Sequence, residues 1–323
     1  MTTELPASQT NPEQVNRPLW QVHLVLLFVQ ITFGGFHVSA KYVLGFMPSL
    51  AVVGVRVMVA TPVLMLLAWF VDRTIPARRD LPYLALLGFL GVFVNQIFFI
   101  KGLQYTTATN AAIFMPSIPV FAVAAAAVLG IERMSMWRVV GVILAVAGAV
   151  VMLDLTNVSL KGSSLGNLLI LTNCFAYSMF IVLQRPLLRR LPPLTVIAWS
   201  FLFGGSGVLL VAFPTMAKVD FTLLPSKVFL FLGYIIFFPT VINYSLNTWA
   251  IRHSTPTLSA TYTTLQPIAT ATLATIFLGE VLGWRQGAGF ALIMAGLAAV
   301  TLGSRRLRRA QKKKGAAETA PHS

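Results

Sequence analysis

Polar residues along this chain fall in short clusters, and the stretches between them stay apolar for about the length of a membrane crossing. After a polar leader, Met1 to Pro18, the pattern predicts helices near 19–42, 48–71, 81–103, 108–129, 136–153, 164–185, 193–213, 226–249, 257–278 and 284–303. Each holds roughly 18 to 24 residues, the span a helix needs to cross about 30 Å of hydrocarbon. The links are very short, so neighbouring helices should run antiparallel. The expected fold is therefore an all-α polytopic membrane protein with ten transmembrane helices.

The pattern also repeats. Tyr105 to Leu153 recurs without a gap 148 residues later as His253 to Thr301. Thr107/Thr255, Thr109/Thr257, Pro119/Pro267, Glu132/Glu280, Gly141/Gly289 and Gly148/Gly296 fall in register, and the same offset pairs Asn95 with Asn243. A repeat constrains architecture more than any local motif does. Here it predicts one five-helix unit used twice, over 19–153 and 164–303, with a basic tail at 304–323. An odd number of helices per unit makes the second copy enter the membrane from the opposite side. Inverted repeats of this kind are a recurrent build of secondary transporters, with the solute site near the midplane between the halves.

Composition agrees. The chain is 57% hydrophobic and 10% charged, with mean hydropathy +0.79, against about 25% charged in soluble domains. A net charge of +15 would suit a nucleic-acid partner, but the placement of the bases argues against one. With both termini cytoplasmic, 17 of the 24 Lys and Arg lie on the inner side and six on the outer, as the positive-inside rule requires. The expected partners are the lipid bilayer and a small-molecule solute, with no nucleic acid. The single Cys174 excludes a disulfide or zinc framework within one chain. Neither a cofactor nor a metal is expected, and no cleavable signal is evident before the first apolar run.

The segments "GLQYTTATNAAIFMPSIPVFAVAAAAVLGIERM" and "TPTLSATYTTLQPIATATLATIFLGEVLGWRQGAGFALIMAGL" resemble the drug/metabolite transporter superfamily, and each half resembles one EamA repeat. "GGFHVSAKYVLGFMPSLAVVGVRVMVATPVLML" and "NQIFFIKGLQYTTAT" are similar to the plant nodulin-like "walls are thin" branch. The resemblance implies ten helices in two inverted five-helix repeats, moving small organic solutes such as amino acids, related metabolites, hormones or nucleotides.

Several residues are candidates for that work. Arg56 lies in the outer half of its helix, and a charge at mid-membrane costs roughly 2.5–3.5 kcal/mol on insertion scales. It either lines a cavity and pairs a solute carboxylate or phosphate, or snorkels to the outer headgroups or donates to backbone carbonyls and amides. Asn95, Gln96, Asn173, Tyr177, Asn243, Asn247, Tyr262, Thr263 and Gln266 put amides and hydroxyls where hydrocarbon is expected. Such groups should face inward, as a cavity lining or as glue between helices. Pro116, Pro119 and Pro267 are expected to kink helices and free carbonyls, those of Met115 and Thr263 among them. Glu132 and Glu280 close matching helices, as gate groups pairing with the opposite half or as caps. Helices five and ten read as glycine-lined scaffold that could also support a homodimer.

These features point to a secondary transporter rather than an enzyme: no His cluster, carboxylate pair or P-loop is present. Amino acids or related solutes are the expected cargo and export the expected direction. A nucleotide-sugar or phosphorylated-metabolite exchanger, or a non-transporting membrane sensor, is the alternative. The expected location is the plasma membrane.

Overall fold

Prolines mark where several helices start. The missing N–H of a proline costs nothing in a first turn, whose N–H groups have no intrahelical partner anyway. Pro48 and Pro225 stand just before their helices, and Pro193 and Pro256 inside the first turn of theirs. The computed structural model describes residues 19–105, 114–132, 134–152, 164–266, 268–269, 284, 287–289 and 291–303. Among them the chain forms helices and no strand.

The order is α1 (Leu19–Leu44), α2 (Ser49–Val71), α3 (Arg78–Tyr105), α4 (Ser117–Val128), α5 (Met136–Met152), α6 (Ser164–Leu187), α7 (Pro193–Met216), α8 (Ser226–His253), α9 (Pro256–Tyr262) and α10 (Gly287–Gly303). Six of these, α1, α2, α3, α6, α7 and α8, are long and apolar enough to cross a membrane. The four shorter ones fall where the remaining crossings are expected. The expected helix at 257–278 is described mainly through its first turns. Pro267, Glu280 and both tails lie outside the described residues.

Helix α3 starts three residues before and ends two beyond the apolar pattern, and α8 ends four beyond it, because these terminal turns carry polar residues. Both are 28 residues long and related by the same offset of 148. Each contains a wide π turn, Phe89–Val94 in α3 and Ile236–Ile242 in α8, and each π turn ends immediately before an asparagine, Asn95 or Asn243. A π turn carries an extra residue per turn, misaligns local hydrogen bonds and recurs at functional sites.

Packing between the halves is close where glycine allows it. A Cβ on Gly141 of α5 would sit 2.7 Å from the Gly296 carbonyl of α10, and one on Gly148 would sit 2.7 Å from the Gly289 carbonyl. As the number rises along α5 it falls along α10, so the two helices cross antiparallel. These glycine faces, expected as scaffold with a possible role in dimers, meet within one chain. A similar approach joins α3 to α7, where a Cβ on Gly88 would press into the Ser200 carbonyl. The turn after α4 closes on Gly130 at φ 62°, with Ile131 N–H donating to the Ala126 carbonyl at 3.0 Å, the left-handed cap that glycine provides without strain.

The buried core includes Phe180, Phe201, Leu64, Leu84, Leu87 and Ile100. Large apolar side chains such as Leu210, Val128 and Leu230 stand outward. An outward apolar belt is stable only where lipid, not water, surrounds the bundle.

Candidate solute site

At the centre of the bundle α1, α2, α3, α6 and α8, with the segments just before α4 and after α9, enclose a cavity of about 60 Å³. Its walls include Arg56, Asn95, Gln96, Asn173, Tyr177 and Gln266 from the expected set. Aromatic and apolar groups complete it, chiefly Phe33, Phe36, Phe99 and Tyr244.

Arg56 is 2% exposed and does not snorkel to the headgroups. Its Cζ lies 4.6 Å from the centroid of the Phe36 ring, a cation–π contact strengthened by the lack of water. Phe36 in turn stacks on Phe99 at 5.4 Å. Arg56 Nε donates to Thr240 Oγ1 at 2.5 Å. Among the described residues no carboxylate pairs with Arg56, so its terminal N–H groups are left to the cavity.

The polar wall is held from both halves. Tyr244 of α8 donates to Asn95 Oδ1 at 2.7 Å, and Asn173 of α6 donates to the Asn95 carbonyl at 2.7 Å. Gln266 Nε2 donates to Gln30 Oε1 at 3.0 Å, while its own Oε1 has no partner among the described residues. Both amide atoms of Gln96 are buried with none at normal hydrogen-bond geometry, the Tyr244 hydroxyl lying close by. A buried amide left unpaired costs about 1–3 kcal/mol per group. These atoms are therefore positioned to bind water or a solute.

Four expected site residues stand away from the cavity wall. Asn243 accepts from Thr32 at 2.8 Å and donates to the Val29 carbonyl at 3.2 Å, fastening α8 to α1. Asn247 donates to Tyr177 at 3.3 Å and accepts from Ser259, a layer of polar contacts beneath the cavity. Tyr262 meets His23 at 2.5 Å. The Thr263 hydroxyl turns back to the Ala260 carbonyl.

The expected proline kink takes a different form. The helix breaks at Met115 and restarts at Ser117, so Pro116 and Pro119 occupy its cap and first turn. The Met115 carbonyl, expected to be free, accepts the Ile118 N–H at 3.0 Å. Met115 lines the cavity.

Glu132 serves both halves. Its Oε2 accepts from Arg138 at 2.8 Å, and its Oε1 accepts the Thr257 N–H in the first turn of α9 at 2.8 Å. The base belongs to its own half and the helix to the other. Asp72 does the same for α7, accepting from Thr195 N–H at 2.8 Å and Thr195 Oγ1 at 3.0 Å. Acids suit helix N-termini because the free N–H groups there carry partial positive charge. With Asp80–Arg190 at 2.7 Å and Tyr83 donating to the Leu183 carbonyl at 2.7 Å, these contacts join the halves at the arginine-rich end.

Sequence reasoning did not find Thr240, or the aromatic wall of Phe33, Phe36 and Phe99. The available signals were Pro239-Thr240 inside an apolar run and aromatics spaced three apart along α1 and from Gln96 to Phe99.

Comparison with known proteins accords with this architecture. A model of the EamA-like transporter family matches residues 20–154 and again residues 164–302. A WAT1-related protein of Arabidopsis thaliana is 28% identical, over 88% of this chain and 86% of its own. Protein WALLS ARE THIN 1 of Arabidopsis thaliana is 27% identical over 89% and 85%. The uncharacterized inner membrane transporter YedA of Escherichia coli (strain K12) is 27% identical over 79% and 82%. One crystal structure of another protein superposes with TM-score 0.69 at 19% identity, covering 89% of this chain and 97% of that one, which shows the shared fold. Matched by the family in both halves, this multi-pass integral membrane protein belongs to the EamA-like transporter family of the drug/metabolite transporter superfamily.

Proposed function

We propose that this chain is a secondary transporter of small organic metabolites bearing an acid group, amino acids and related solutes foremost. It works by alternating access between two inverted halves, in the plasma membrane, with both termini cytoplasmic and export as its direction. The observation that carries this reading is Arg56: a buried cation at the wall of a central cavity, with its terminal N–H groups unpaired by any acid among the described residues. A guanidinium is matched to carboxylates and phosphates by its planar fork of donors.

Inversion is supported by three reciprocal relations. Gly141 meets Gly296 as Gly148 meets Gly289. The π turns of α3 and α8 end at the offset of 148. Asn95 bonds α6 of the other half, and Asn243 bonds α1 of the other half. Exchange of partners under one offset is what a two-fold relation between halves produces.

Among the described residues lining the cavity Arg56 is the one cation. This favours a single carboxylate over the multiply charged phosphates of a nucleotide sugar. The unpaired amide of Gln96 and amide oxygen of Gln266 are unlike the well-packed centre of a sensor.

Solute counterflow in proteoliposomes tests the reading, with amino acids, organic acids, nucleotides and nucleotide sugars compared in wild type and Arg56→Gln. The expected result is flux of carboxylate solutes that Arg56→Gln abolishes while neutral solutes are spared. Flux indifferent to Arg56→Gln would remove Arg56 from the site. Flux confined to nucleotide sugars would replace the cargo class.

A further inference from the structure

We propose that Thr240, a residue outside the cavity wall, is the positioning residue that aims Arg56 and thereby sets the preference for carboxylates. This rests on the reading of Arg56 as the acid-binding group.

The argument begins with Pro239. It has no N–H to give the carbonyl four residues back, that of Ile235. The Thr240 hydroxyl donates to that carbonyl at 2.8 Å, within the π turn. Thr240 is completely buried, and a hydroxyl has one proton. With that proton committed, the oxygen facing Arg56 can only accept. Arg56 Nε supplies the donor at 2.5 Å.

The consequence falls on the rest of the guanidinium. Its plane has two edges able to grip a carboxylate with paired N–H groups: the side edge, which uses Nε, and the end edge, formed by the two terminal nitrogens. Thr240 occupies Nε and so leaves the end edge to the solute. Phe36, 4.6 Å from Cζ, limits the tilt of the plane. Two groups from opposite halves of the chain thus fix one donor fork before any solute arrives. Such preorganisation raises affinity by removing ordering costs at binding.

The arrangement belongs to one half only. At the offset of 148 the counterparts of Pro239 and Thr240 are Gly91 and Val92 in the π turn of α3. Neither carries a hydroxyl, so the paired wide turns are alike in backbone and unlike in chemistry. The symmetric frame holds an asymmetric anchor.

The test uses acetate, small enough for the cavity, and the full-length purified protein in detergent. Thermal unfolding is followed against sodium acetate, acetamide and sodium chloride, the two salts at matched ionic strength. A ligand that binds the folded state raises the midpoint with its concentration. Acetate, and not acetamide or chloride, is expected to raise the wild-type midpoint, and Arg56→Gln to abolish the shift. Thr240→Val should weaken acetate roughly tenfold, as expected for losing a hydrogen bond to a charged group, and Thr240→Ser should restore it to within about twofold. If Thr240→Val does not fold, Thr240→Ala carries the test: it removes the same acceptor with a smaller side chain and should weaken acetate roughly tenfold.

Wild-type acetate affinity in Thr240→Val or in Thr240→Ala, or a Thr240→Ser as weak as Thr240→Val, would overturn the positioning role and leave Arg56 as the acid-binding group. An acetate shift that is missing in wild type, or unchanged in Arg56→Gln, would overturn both.

Discussion

Glu132 and the Thr257 N–H lie 2.8 Å apart across the two halves of the chain, with Arg138 holding the other carboxylate oxygen at 2.8 Å. The side chains of Glu132 and Arg138 are 4% and 5% exposed. Removing one partner of a buried ion pair costs about 3–5 kcal/mol, because the other charge is stranded. Glu132→Ala should therefore lower the unfolding midpoint markedly. Glu132→Gln keeps an acceptor for Thr257 and should lose less. The same changes should open the arginine-rich end. A thiol placed at buried Ser259, in a Cys174→Ser background, is expected to react with an aqueous maleimide several-fold faster in Glu132→Ala, as the population of the open state rises. Equal labelling with and without Glu132 would show that the contact stabilises the fold without holding the halves together.

Gly141 and Gly233 should respond in opposite senses to the same methyl group. A Cβ on Gly141 would press into the Gly296 backbone, whereas one on Gly233 meets nothing within 4 Å. Overpacking of this kind typically costs about 1–3 kcal/mol. Relief of a helical glycine where there is room gains about 0.4–1 kcal/mol. Unfolding midpoints in detergent check both: Gly141→Ala should fall and Gly233→Ala should hold or rise.

Pro119→Ala is expected to leave transport within about twofold of wild type and stability nearly unchanged, since a proline in a first turn displaces no helix hydrogen bond. Counterflow rates measure it. A large loss would restore the hinge that the sequence suggests and the helix start at Ser117 argues against.

Cys174 is fully buried, and its thiol donates to the Phe114 carbonyl at 3.4 Å. Maleimide should label it slowly in the folded protein and readily after denaturation. Cys174→Ser keeps a donor at the same place and should retain fold and transport, which qualifies it as the background for introduced thiols.

Much of this architecture is legible in the sequence because a bilayer leaves few choices. Apolar runs must be helices, and a repeat at constant offset carries the order of elements with it. The offset of 148, read from Pro119/Pro267 and Glu132/Glu280, reappears in the equal lengths of α3 and α8. What the sequence withholds is the face each polar residue presents. Asn95 and Asn243 are equivalent by number, yet one lines the cavity and the other is bound to Thr32. A π turn advances by more residues per turn than an α turn, so a projection along an ideal helix loses register through Phe89–Val94 and Ile236–Ile242. Thr240 was hidden for a related reason. Its role depends on Arg56, 184 residues away, and on a backbone carbonyl inside the π turn.

The paired wide turns also bear on the history of the chain. Relative to an ordinary α-helix, each is the trace of one added residue. Additions made separately in the two halves would have to arise twice at the same place to leave their numbering in step. Here the offset stays at 148 from the π turns of α3 and α8 through the glycines of α5 and α10. The simplest descent is a single insertion in an ancestral five-helix gene, copied when that gene was duplicated. The proline, the hydroxyl and the anchored arginine would then be later acquisitions on one copy of an older joint.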